Sequence, residues 1–136
     1  MKTITVKTQK TDTLIDFLSF HGFYVEEIEG NIYRVKRDEA LPVYVSLSDE
    51  TIYFEVDLGN VSTLANELFY FKLLDMNTEV LPVSFGINNS NSDDPHLVLV
   101  ESRETSDLSD KEILSVFDAL ELATKKAETF LESYLK

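Results

Sequence analysis

The two imidazoles of the chain, His21 and His96, fall on separate elements. Neither has a second ligand four residues away, the helical spacing with which two histidines share one metal ion. A lone histidine at a helix end or a strand start is read as structural before it is read as a base. The neighbouring carboxylates Glu26-Glu27, Asp49-Glu50 and Asp93-Asp94 do not make an acid/base pair, because adjacent residues on a strand point to opposite faces. Ser84-Phe85-Gly86 lacks the preceding glycine of a nucleophile elbow, and Gly22, Gly30, Gly59 and Gly86 are too scattered to cradle a phosphate. The segment Asn88 to Pro95 is rich in oxygen ligands, yet it lacks the alternating carboxylates, central glycine and distal glutamate of a calcium loop; it reads as a solvated, mobile loop. With no cysteine there is no thiol nucleophile, thiolate metal site or disulfide framework. The residues therefore imply no catalytic site, no metal and no cofactor, and the chain is expected not to be an enzyme.

Composition narrows the partners. At 136 residues the chain can bury one hydrophobic core and not two, so a single α+β domain is expected over 1–136, with residues 1–10 extended or frayed. A 43% hydrophobic and 11% aromatic content lies in the globular range. The net charge of −13 repels phosphate backbones and anionic lipid surfaces, which disfavours nucleic acid as a partner. Residues 1–40 carry six basic and seven acidic side chains, residues 41–90 one and seven, and residues 91–136 five and eleven. The acidic face thus belongs to the second half. No apolar run approaches the roughly 18 residues of a membrane span, and the first ten residues lack the apolar core of a signal peptide. A cytoplasmic protein without membrane insertion is expected.

The elements that must position these residues follow from periodicity. Thr13 with Asp16 gives a capping-box start to a short helix over 12–21 with Leu14, Phe17 and Leu18 on one face, and Gly22 supplies its left-handed stop. Gly30-Asn31 is a two-residue turn between strands 24–29 and 32–37, which would set Ile28 opposite Tyr33 and Glu27 opposite Arg34. In the next pair, 43–47 and 52–57, a turn at Asp49-Glu50 sets Leu47 opposite Ile52, Val45 opposite Phe54 and Val43 opposite Val56. A one-residue slip would turn all six to water. A helix over 62–74, capped between Asn60 and Ser62, would bury Leu64, Leu68 and Phe71 and leave a second apolar stripe of Phe69, Tyr70 and Leu73. Strand 83–87 precedes strand 96–102, whose Leu97 to Val100 is apolar on both faces and so belongs inside a sheet. Ser109 and Glu112 open a last helix over 110–135, roughly 40 Å long, with Ile113, Phe117, Leu120 and Leu131 in its buried stripe.

The order helix, four strands, helix, two strands, long helix on a small acidic chain is similar to that of the class I type III secretion chaperones. Asn66-Glu67-Leu68, Leu81-Pro82-Val83-Ser84-Phe85-Gly86-Ile87 and the terminal amphipathic helix resemble the YjfI-type family of small bacterial proteins. The resemblance implies an antiparallel sheet of five to six strands with three helices, and a homodimer that holds a partner polypeptide. Two apolar faces in excess of what three helices can cover point to the same dimer, with Phe69, Tyr70, Leu73, Leu97 and Leu99 as its interface. The alternative readings are a regulatory adaptor, possible in envelope stress, that docks a basic partner on the acidic second half, and an enzyme whose site is assembled from distant residues.

Overall fold

A computed structural model describes residues 11–106 and 108–135, and the side chains of residues 14–106 and 108–134. The expectations for residues 1–10 and for the Thr13 cap fall outside the described parts. The elements are α1 (Thr11–Phe20), β1 (Tyr24–Glu29), β2 (Ile32–Lys36), β3 (Val43–Leu47), β4 (Thr51–Gly59), α2 (Glu67–Met76), β5 (Ser84–Asn88), β6 (His96–Glu104) and α3 (Asp110–Leu135). The strands form one antiparallel sheet in the order β1-β2-β3-β4-β6-β5. It is an α+β fold with the expected element order.

The β3–β4 ladder has the register that alternation demands, with Leu47 opposite Ile52 and Val45 opposite Phe54. All six residues expected on its inner face are buried. The β1–β2 hairpin differs. A bulge between Glu27 and Glu29 shifts the register by one, so Glu27 faces Tyr33 and Glu26, not Glu27, faces Arg34. The resulting ion pair, Arg34 with Glu26, spans 3.9 Å. The extra residue lets the strand leave its tight Gly30 turn (φ 47°) with added local twist.

β6 lies between β4 and β5, not at an edge. Leu97 and Leu99 enter the core, while Val98 is buried on the opposite face. There it sits across from Gly86, where a Cβ would come within 3.7 Å of Val98 Cγ2. All three helices contribute to one core on the face of Leu97 and Leu99. At the start of α3 the Ser109 cap forms as expected, with the Glu112 amide donating to Ser109 Oγ at 3.2 Å, but the Glu112 carboxylate accepts from Ser109 Oγ at 3.2 Å where a capping box would engage the backbone amide. Ile113, Val116, Phe117 and Leu120 are buried against the sheet, and Leu131 is partly buried. Phe117 meets Phe23 and Phe54 at ring distances of 4.6 and 5.6 Å.

The middle helix is the main correction. It begins at Glu67, capped by Asn66 Oδ1, which accepts from the Phe69 amide at 2.8 Å. The expected cap and first turn at Asn60 to Leu64 form a turn instead. Its inner residues are Phe69 and Leu73, whereas Leu68 and Phe71 point to solvent. Phe69 and Leu73 have taken the inner place expected of Leu68 and Phe71, while Tyr70 stays outward and Leu64 packs partly against the core. The cause is the last turns of α3, whose Phe130 and Tyr134 take Phe69 between them at 5.6 and 5.2 Å.

Candidate partner-docking surfaces

The two histidines stand in different surroundings. His21 is exposed at the end of α1, beside the rings of Phe17 and Phe20. His96 is clamped: Nδ1 lies 2.8 and 2.9 Å from the two carboxylate oxygens of Asp57, and Nε2 lies 3.0 Å from Asp94 Oδ2. Both ring nitrogens can donate together only in the imidazolium. The bond to Asp57, and then that to Asp94, raises the His96 pKa. Asp94 in turn is lowered by the bond it accepts from Asn60 Nδ2 at 2.7 Å and by His96. This arrangement is an electrostatic clamp between the end of β4, the loop 89–95 and the approach to α2. That loop is exposed and shaped by Asx turns, in which Asn88 and Asn91 accept from the amides of Ser90 and Asp93.

Two further acidic residues of the sheet, Glu55 and Glu101, are similarly held. Glu55 accepts from Tyr53 at 2.8 Å and from Asn88 at 3.1 Å. Partial burial, and then the bond to Glu55, pushes the Tyr53 phenol well above its usual range. Glu101, only 5% exposed, is met by Arg103 Nη2 at 2.7 Å, and Arg103 also reaches Glu112 at 3.8 Å. This links β6 to the first turn of α3. Among the described residues no group of three metal-ligating side chains converges, and no helix is long and apolar enough to cross a membrane.

Two surfaces remain that offer themselves to a partner. The first is the outward arc of α2, where Leu68 is 57%, Phe71 68% and Leu74 68% exposed, flanked by Tyr70 at 42% and, past the helix, Leu81 at 69%. Large apolar side chains grouped this way on one helix mark an interaction surface. Of the residues expected at an interface, Tyr70 belongs to this arc, while Phe69, Leu73, Leu97 and Leu99 lie beneath the surface in the chain's own core. Sequence periodicity did not tell the buried arc of α2 from the exposed one, because both are apolar.

The second is a groove along α3. A cavity of about 320 Å³ lies between α3 and the connection from β2 to β3, floored by Phe23, Val35, Val43, Phe117 and Leu120. The connection turns through Asp38, which takes the left-handed region (φ 51°) that aspartate tolerates. A shallower depression adjoins it, sharing Leu41 and Glu128 and continuing past Tyr44 to Leu131 and Glu132. Arg37 stands at the rim. Its Nη2 donates to Asp118 and Glu121 at 3.0 Å each, and its guanidinium lies 4.8 Å over the Phe23 ring. Sequence reasoning passed over this rim, although Glu121, Lys125, Glu128 and Glu132 recur at the spacing of one helix face beside the buried stripe.

With this geometry in hand, comparison with known proteins is informative about the fold. No family model matches the sequence, and no curated protein matches it. Solved structures do match, two of them over most of the chain. The E. coli protein YbjN, proposed as a transcription regulator, superposes with a TM-score of 0.64 at 14% identity over 91% of this chain and 95% of that one. A chain of the heterodimeric complex ExoU-SpcU, from the type III secretion system of Pseudomonas aeruginosa, does so with a TM-score of 0.65 at 17% identity, over 82% and 91%. The fold is type III secretion chaperone-like. At these identities the likeness concerns architecture.

Proposed function

We propose that this chain is a non-catalytic, chaperone-like protein, working as one domain, that holds a partner polypeptide as a homodimer in the cytoplasm. The observation that carries the reading is the outward arc of α2. Leu68, Phe71 and Leu74, with Tyr70 beside them, form an apolar face on a protein of net charge −13. Closed two-fold pairing is the commonest way for such a face to be covered. Phe69, packed on Phe130 and Tyr134, and Leu73 anchor α2 in the core that also holds Leu97 and Leu99, and so fix the arc that Tyr70 and its neighbours present. The engagement of His96 with Asp57 and Asp94, and of Glu55 with Tyr53 and Asn88, supports a binding role for this part of the surface. That one solved neighbour is a chain of a heterodimeric secretion complex supports a partner-holding role, and kinship with the YjfI-type proteins rests on the Leu81 to Ile87 segment.

The test is capture of partners by the tagged chain from the lysate of its native host, followed by rebinding of the purified partner. The parent and a Phe71→Glu, Leu74→Glu variant are compared. A partner that rebinds in defined stoichiometry supports the reading. Failure of every captured protein to rebind contradicts it.

A further inference from the structure

The groove along α3 carries a charge pattern that specifies its occupant more narrowly than "a partner". We infer that it binds an extended polypeptide segment of about seven residues in which apolar side chains alternate with lysine or arginine. The inference deepens the partner-holding reading and rests on it.

The groove's length sets the size. From Phe117 to Glu132, α3 runs roughly 22 Å at 1.5 Å per residue, which an extended chain at about 3.3 Å per residue crosses in about seven residues. The floor sets the apolar half of the pattern. Phe23, Phe117 and Leu120 line a cavity of about 320 Å³, the lower end of the size range of small-ligand sites and room for one or two large side chains. Leu41, exposed at the junction with the shallower depression, offers a second apolar contact farther along.

The rim sets the charge. Arg37 is already satisfied by Asp118 and Glu121, so it offers little to an incoming anion. Asp38, Glu39, Glu128 and Glu132 have no cationic partner among the described residues, and Lys125 is the one lining cation without an anion. Four unpaired carboxylates against one ammonium favour cations on the occupant and repel an acidic segment. A peptide with alternate side chains down has its remaining side chains up at the rim, where lysine or arginine meets these carboxylates.

The probe is a fluorescein-labelled heptapeptide alternating Leu or Phe with Lys or Arg, followed by anisotropy. Two controls replace every basic residue by Glu, or every apolar residue by Ser. The basic apolar peptide should bind, with each control at least tenfold weaker. Glu128→Lys with Glu132→Lys, both at exposed positions, should weaken it by about tenfold or more, as reversal of two rim charges does. Glu104→Lys, an exposed charge reversal at the end of β6 and outside the groove lining, should leave it within about twofold. Equal binding of the acidic or the serine peptide, or unchanged binding to the Glu128→Lys, Glu132→Lys variant, would overturn the inference. Such a failure is distinct from failure of the partner-holding reading, which is decided by rebinding of a captured protein.

Discussion

Replacing Phe69 and Phe71 by alanine, one at a time, separates the two arcs of α2. Phe69 is fully buried and contacts Phe130 and Tyr134 at ring distances of 5.6 and 5.2 Å. Truncating a buried phenylalanine costs about 3 to 5 kcal/mol, within which loss of its ring pairs contributes about 1 kcal/mol. We take about 4 kcal/mol for Phe69→Ala. With an unfolding entropy of roughly 2.1 cal/mol/K per residue, that loss lowers the melting temperature of a domain this size by about 14 °C. Phe71, 68% exposed, loses little burial in the isolated chain, so Phe71→Ala should shift the midpoint by no more than about 2 °C. Thermal melts followed by circular dichroism should be run dilute, where association adds least to apparent stability. Equal shifts for the two variants, or a larger one for Phe71→Ala, would refute the assignment of inner and outer arcs.

Phe71→Glu with Leu74→Glu should give a folded monomer by light scattering with an unchanged circular dichroism spectrum, whereas Phe69→Glu should unfold the chain. Asn66→Ala removes the cap on α2 and should cost about 1 kcal/mol by urea denaturation; no loss would show that the helix start is held by packing alone. Because His96 is raised by Asp57 and Asp94, its contribution to stability is fully present below its ordinary pKa of 6.5 and is lost as pH rises through the folded value. Asp94, lowered, contributes above its ordinary 3.8 and loses its contribution as pH falls through its folded value. Denaturation measured across pH 5 to 9 should therefore show a decline on the alkaline side that His96→Gln removes.

Strands and the long helix were legible in the sequence because one competing pattern dominated each. Leu47, Ile52, Val45 and Phe54 have a single register that keeps all of them dry, and the Ser109 cap fixes where α3 starts. The β1–β2 hairpin defeated the same reasoning, since Ile28 and Glu27 carry no penalty strong enough to forbid a bulge at the end of an exposed ribbon. In α2 the choice between Phe69 with Leu73 and Leu68 with Phe71 is decided by Phe130 and Tyr134, more than fifty residues onward. No local pattern encodes that choice. The groove was likewise hidden, because its floor and rim come from β2, the 37–42 connection and α3, which only the folded chain brings together.

Light scattering on the purified chain at roughly 20 µM, a concentration at which a specific dimer stays assembled, tests the proposed assembly most directly. The account predicts a mass twice the 15.5 kDa of one chain, falling to one chain when Phe71 and Leu74 become glutamate. A parent protein that scatters as 15.5 kDa at that concentration would contradict it.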